Sequence, residues 1–258
     1  MTCNHELMTV KCSNCGINVI LNQFDICPKC AHLGKNKMLS ESLQDADKQF
    51  VKLVSKINSM QNNKLQIPDQ RLTIIVKLRE ASMWADMITK TYVSLMMHKD
   101  SPIPKYLKLQ NKNITDDDIK QLVTNFDLMN RASYLTMFLF LIENFLGSVN
   151  RQLPNKCQNC GYRKLAKHVL NELGISNINN EKLDILNVPA MVRNCLHAEG
   201  KHMKNNDHGT IDGILFNFVK EKTHKYGSWE HTIFFCNHIL DILQDVLQSS
   251  FVKQTPIS

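Results

Sequence analysis

Glycine is scarce in this chain, nine residues in 258, and the loops that depend on it are missing. There is no G-x-x-x-x-G-K-[ST] loop to cradle a nucleotide triphosphate, no G-x-G-x-x-G turn for a dinucleotide and no G-x-S-x-G elbow for a serine nucleophile. An H-E-x-x-H helix is absent too, so zincin chemistry lacks its ligands. Long apolar runs are equally wanting: a membrane span needs about 20 consecutive apolar residues. The best candidate, YLTMFLFLIENFLGSV from Tyr134, carries Glu143 within it and reads as a buried helix. The amino terminus, MTCNHELMTVKC, has no apolar run with a basic flank. The expectation is a cytoplasmic protein without a membrane segment. Internal repeats, low-complexity tracts and heptads are not found.

What is present is an ordinary globular composition, 43% hydrophobic and 21% charged, with enough apolar mass for a core. The formal charge of +7 is unevenly placed. Residues 151–226 hold 12 Lys and Arg against 7 Asp and Glu, whereas residues 227–258 hold 1 against 3. The basic stretch 151–226 favours an anionic partner such as nucleic acid. Nine cysteines in a reducing compartment point to metal ligands or buried thiols more than to disulfides.

From Met38 onward the pattern is helical. LSESLQDADKQFVKLVSKINSM places Leu43, Phe50, Leu53, Val54 and Ile57 on one stripe behind a candidate Ser40 cap. A second long helix follows the break at NNKLQIPDQ and ends before HKDSPIPK, which reads as a loop. Thr115 then caps a helix whose first turn holds Asp116, Asp117 and Asp118, and which runs to about Val149, with an interruption left open. RKLAKHVLNELG is a shorter helix stopped by Gly174, and Pro189 suits the first turn of the next. The alternation in GTIDGILFNFVKEKTHKYGS predicts a β-hairpin, and Ser228 opens the last helix. The expected architecture is mainly α: a helical bundle with one small β-hairpin, behind a cysteine-rich module. The expected divisions are residues 1–36, a helical hairpin over 37–112, and a helical domain over 113–258.

Cys12, Cys15, Cys27 and Cys30 form C-x2-C-x11-C-x2-C. Each two-residue gap lets both thiolates reach one metal, and two such pairs complete the tetrahedron of a structural Zn2+. The segment resembles zinc-ribbon modules, with Cys3, His5 and His32 as alternative ligands. A protein or nucleic-acid partner could dock on it. Cys157 and Cys160 form a third pair without an evident second. A second metal completed by His168, Cys195 or a nearby histidine, a bridge across a dimer, a redox pair and two plain thiols all remain open for it.

RNCLHAEGKH, residues 193–202, brings together Arg193, Asn194, His197 and His202. On a continuous helix Arg193 and His197 share a face one turn apart. A guanidinium that grips phosphate and an imidazole that exchanges protons near neutral pH are the minimum for metal-free RNA cleavage. Cys195 could be a nucleophile beside His197, but a thiol on an apolar helix flank is more often core.

The stretch RNCLHAEG resembles the Arg-Asn…His motif of the HEPN superfamily of helical nucleotide-binding and ribonuclease domains. The resemblance extends over about residues 120–250, although three residues separate Arg193 from His197 where the family usually has four to six. Arg163 and His168 in RKLAKH have the family's gap and rank second. The resemblance implies a metal-independent endoribonuclease of a defence or toxin type, with Arg193, Asn194 and His197 as its site. It also implies pairing of two copies, with Glu143 and His202 as accessory residues. The alternative is a non-catalytic adaptor that binds nucleic acid or protein.

Overall fold

The computed structural model describes residues 9–11, 18–20, 37–61, 69–96, 102–175, 181–196, 198 and 201–254. Near the amino terminus β1 (Thr9–Lys11) pairs antiparallel with β2 (Asn18–Ile20), Lys11 opposite Asn18. The connection between them, residues 12–17, contains Cys12 and Cys15. All four expected zinc ligands lie outside the described residues.

Four long helices form the bundle: α1 (Lys37–Gln61), α2 (Gln70–Met96), α4 (Asp116–Gln152) and α7 (Trp229–Gln248). Phe50 of α1, Tyr134 of α4 and Trp229 of α7 meet as a ring cluster with centroids 5.3 to 6.0 Å apart. Ser82 of α2 joins it through a 2.9 Å hydrogen bond with the Tyr134 hydroxyl. The Trp229 indole N–H donates to Asp127 at 3.0 Å, and Asp127 also holds the buried Arg131 one turn on, at 3.1 Å. One continuous apolar core runs from Ala46 to Val252 and crosses the expected division at 112/113. The α1–α2 hairpin buries its stripe, Phe50, Leu53 and Ile57, within the same core as α4 and α7.

Local chemistry accounts for the helix ends. Thr115 and Asp118 form a reciprocal capping box, and Asp116, Asp117 and Asp118 face the positive end of the α4 dipole. α5 (Tyr162–Glu172) closes in a Schellman turn: Ile175 N–H donates to the Leu170 carbonyl and Gly174 N–H to Asn171, with Gly174 at φ 70°. Ser228 caps α7 by accepting from the His231 N–H.

Four boundaries differ from expectation. α1 begins at Lys37, upstream of the expected Ser40 cap, since Lys, Met and Leu carry the helix at little cost. Within HKDSPIPK, expected to be a loop, helix α3 (Pro102–Gln110) opens, because proline is tolerated where the first-turn N–H groups have no helical acceptor. α4 continues without a break to Gln152. Pro189 lies inside α6 (Glu181–Leu196) and not in its first turn. The hydrogen bond missing at Pro189 is offset by burial of Leu186, Val188 and Val192 around it.

The hairpin β3 (Asp207–Ile211) and β4 (Ile214–Phe218) turns through Asp212 and Gly213, both at positive φ, as a two-residue turn of matching twist requires. It lies on α6. Asp184 accepts from the Thr210 N–H at 2.8 Å, and Glu181 accepts from the Asp212 N–H at 2.9 Å. Between them Gly209 comes so close that a Cβ there would sit 2.6 Å from Val188 Cγ2 and 3.0 Å from Asp184 Cγ. A short helix, α8 (Ser250–Gln254), ends the described chain. Arg71, paired with Asp69 at the start of α2, ties this end down by donating to the Val252 carbonyl at 2.7 Å.

By length and composition one helix among the described residues, α4, is apolar enough to cross a membrane, and 56% of its most apolar window is buried inside the protein. Gly209→Ala forces β3 off α6 and is expected to destabilise the fold by about 1–3 kcal/mol. Urea denaturation measures this, and an unchanged midpoint would show that the hairpin does not need the close contact.

Candidate functional site

Arg193 and Asn194 stand in the last turn of α6, where a cation complements the helix dipole. The helix ends at Leu196, and His197 lies outside the described residues. Arg193 Nη2 donates to the Asn194 amide oxygen at 3.3 Å. Among the described residues no carboxylate lies within ion-pair distance of Arg193. A groove of about 600 Å3 opens beside these two residues. α6 forms one wall, the first turn of α5 another, and the segment that returns from α6 to β3 the third.

The α5 wall is cationic and begins with an N-cap, Gly161, that has no side chain to satisfy the turn. Arg163 and Lys164 follow, and Lys204 faces them from the return segment. Asp207 is the acidic side chain lining the same groove among the described residues, bound to Arg163 at 3.0 Å. Four cations against one carboxylate make this a place for an anion. A second recess of about 330 Å3 shares Arg163, Asn187 and Asp207 with it.

His202 lines the groove but is only 4% exposed. Its Nε2 lies 2.9 Å from the Asn205 carbonyl and its Nδ1 3.6 Å from Cys195 Sγ. A carbonyl only accepts, so Nε2 carries the proton and Nδ1 accepts from the thiol. Burial raises the Cys195 pKa to about 11, so that thiol keeps its hydrogen. Both nitrogens are thereby occupied in holding the return segment, and Cys195, 1% exposed, is core. Backbone bonds between His202 and both Glu221 and Lys222, and the Lys220 N–H donating to the Asn206 side-chain oxygen at 2.8 Å, tie the same segment to the chain leaving β4.

Glu143 is half-buried on α4, and its charge reaches the Tyr162 hydroxyl at the start of α5. Burial raises the pKa of that phenol well above its ordinary value; Arg193 opposes the shift and Glu143 adds to it. Glu143 and Arg193 thus act on one side chain from separate helices. Tyr162 and Asn187 line the groove with other atoms, while Tyr162 Oη and Asn187 Oδ1 are buried away from it without a hydrogen-bond partner among the described residues.

The second Arg-to-His pair is drawn apart. Arg163 turns to Asp207, and His168 hydrogen-bonds the Asn155 carbonyl in the turn before α5. Cys157 and Cys160 are joined as a disulfide in that turn, whose Cys157 backbone is held on both sides by the Asn150 amide at 2.9 and 3.0 Å. Among the described residues no group of three or more metal-ligating side chains is assembled. Sequence reasoning did not single out Tyr162, Lys164, Asn187, Lys204 or Asp207. The available signals were the basic run at 163–164 and one amide, Asn187, inside the apolar LDILNVPAMV.

Two further histidines pack against the hairpin: His224, from the chain leaving β4, and His231 of α7 sit in an aromatic cluster with Phe216, Phe218 and Tyr226. Burial lowers the pKa of each to about 4, with His202 and His231 adding to the shift at His224, and Arg131 to that at His231.

Comparison with known proteins finds no matching family model, no similar curated protein and no similar solved structure.

The two lowered histidines give the fold an acid limit. Between the ordinary value near 6.5 and about 4 the unfolded chain takes up protons that the folded protein refuses. Stability is therefore full above this window and falls as pH drops through it, by on the order of 2 kcal/mol or more for the pair. Urea midpoints measured at about pH 7.5 and about pH 4.5 check this; equal midpoints would mean that the two imidazoles protonate freely in the fold.

Proposed function

We propose that the protein binds single-stranded RNA in this groove and cleaves it without a metal. The observation that carries the reading is Arg193, a cation without a carboxylate partner among the described residues, in a groove shared with Arg163, Lys164 and Lys204. The ribose 2′-hydroxyl attacks the adjacent phosphorus, a base takes its proton, and the 5′-oxygen leaves with a proton. The products are a 2′,3′-cyclic phosphate and a 5′-hydroxyl. Arg193 stabilises the charge that develops on phosphorus, His197 exchanges the proton and Asn194 orients the guanidinium it touches. The HEPN resemblance of RNCLHAEG supports the reading, and on it the chain serves a defence or toxin system.

The amino-terminal cysteines are assigned to a structural Zn2+. Their spacing supports this. The alternative is a non-catalytic zinc-containing adaptor that binds nucleic acid or protein and leaves it intact.

Pairing of two copies, implied by the resemblance, has a suitable surface. Leu122, Phe126, Met129, Met137 and Phe140 stand at helical spacing on one face of α4, each about half exposed or more. α2, packed beside α4, exposes Met83, Trp84 and Met87. At roughly 100 Å2 each, these side chains offer about 800 Å2, the share of one partner in a standard interface. The α4 stripe carries no charge of either sign, so a second copy can meet it across a two-fold axis without repulsion. Sedimentation is expected to show a dimer that becomes a monomer in Met137→Glu; a monomeric parent would remove the pairing.

The cleavage reading is tested with labelled single-stranded RNA in chelator, beside Arg193→Ala and His197→Ala, with analysis of product ends. Cyclic phosphate ends that disappear in both variants are the expected result. Equal cleavage by parent and variants would place the chemistry elsewhere. Binding without cleavage, weakening with salt as phosphate contacts demand, would turn the reading to the adaptor.

A further inference from the structure

One wall of the groove adjoins a covalent bond. Cys157 and Cys160 are bridged in the turn between α4 and α5, and two residues of that turn, Asn159 and Gly161, line the groove. The two ends of the turn are held differently. Cys157 is fixed to the last turn of α4 by the buried Asn150, whose amide donates to the Cys157 carbonyl at 3.0 Å and accepts from its N–H at 2.9 Å. Among the described residues the backbone of Gln158, Asn159 and Cys160 makes no hydrogen bond to another segment. Asn159 is left-handed, at φ 52°, and Gly161 opens α5 without a side-chain cap. Apart from the packing of Cys160 against the core, the bridge is what ties residues 158–160, and with them the start of the cationic first turn of α5, to the anchored Cys157.

The setting suits a bond that opens and closes. Both cysteines are half-buried, and Cys160 Sγ stands at the surface of the turn, 3.7 Å from the Gln158 carbonyl, where a small thiol can reach it. His168 and Cys195, which could have completed a metal site with the pair, are engaged elsewhere, with the Asn155 carbonyl and with His202. In a reducing compartment, the one expected for this chain, the disulfides that do form are usually transient, catalytic or redox-sensing.

We propose that Cys157 and Cys160 are a reversible redox switch for the groove. Bridged, they hold the α5 wall in its RNA-binding position; reduced, they release residues 158–161, and the ordering of that wall becomes a cost of binding. This regulation rests on the RNA-binding reading above. The reductant is a dithiol. One of its thiolates attacks Cys160 Sγ, the bond between the two sulfurs breaks, and Cys157 leaves as a thiolate that takes a proton from water. The second thiol of the reductant, as its thiolate, then attacks the mixed disulfide, frees Cys160, which also takes a proton, and closes the reductant's own disulfide. Two electrons and two protons pass to the protein. A low-molecular-weight disulfide reverses the exchange.

The test uses the full chain, treated with oxidised glutathione or with dithiothreitol, and a 2′-O-methylated single-stranded oligonucleotide, which cannot be cleaved by 2′-hydroxyl attack. Binding is followed by fluorescence anisotropy, and the state of each cysteine by alkylation and mass spectrometry. Reduction is expected to weaken binding roughly 3- to 10-fold, and oxidised glutathione to restore it. The double variant Cys157→Ser, Cys160→Ser is expected to bind like the reduced parent, to share its thermal midpoint and to ignore both reagents. Equal affinity in the two states overturns the proposal, as does a redox dependence that survives in the double variant. A bridge that dithiothreitol does not open or glutathione does not close overturns it too, as does a zinc ion held by the parent and lost from the double variant. If the bridge opens and closes while neither state binds the oligonucleotide, the RNA-binding reading itself fails, and the control of the groove with it.

Discussion

The groove depends on one contact, the approach of β3 to α6 at Gly209. With no Cβ there, the strand backbone rests on Val188 and Asp184, and Asp184 receives the Thr210 N–H. That contact sets where the chain must arrive after leaving the end of α6. The return segment is then pinned by His202, whose ring binds Cys195 of α6 and the Asn205 carbonyl. Lys204 and Asp207 take their places opposite Arg163 as a consequence. The third wall, α5, is held independently by its packing on α4 and by the Asn150 amide on the turn before it.

This arrangement separates structural groups from free ones. His202 and Cys195 are buried, His224 and His231 are half-buried, and their work is to hold segments in place. Arg193, Lys164 and Lys204 face the groove without a carboxylate partner among the described residues. Glu143 and Arg193 meet electrostatically at Tyr162 although they come from different helices. A site built on helices and a pinned return segment presents its cations in a fixed relation, and such pre-organisation lowers the cost of binding an anion.

Much of the fold was legible because it follows from local chemistry and periodicity. The stripe of Phe50, Leu53 and Ile57, the Thr115 cap, the stop at Gly174, the hairpin alternation and the Ser228 cap each depend on residues within one or two turns. Two of the misplaced boundaries involve proline: Pro102 sits in the first turn of α3, where its missing N–H costs nothing, and Pro189 sits mid-helix among buried neighbours that only the packed fold supplies. Arg193 and Asn194 were legible as a motif, but their groove was not. Asn187, Tyr162 and Lys204 come together only through the packing of α5, α6 and the hairpin. The role of His202 was also hidden, since its partner Cys195 is seven residues away and its burial depends on the chain after β4.

The central claim, that RNA lies between the first turn of α5, the end of α6 and the return segment, is tested most directly by photocrosslinking. Single-stranded RNA carrying 4-thiouridine is irradiated with the full chain, and the modified peptides are mapped by mass spectrometry. Adducts within residues 159–164, 187–195 and 202–207 are the predicted result. Adducts confined to α1, α2 or the outer face of α4 would contradict the account and move the RNA to another surface.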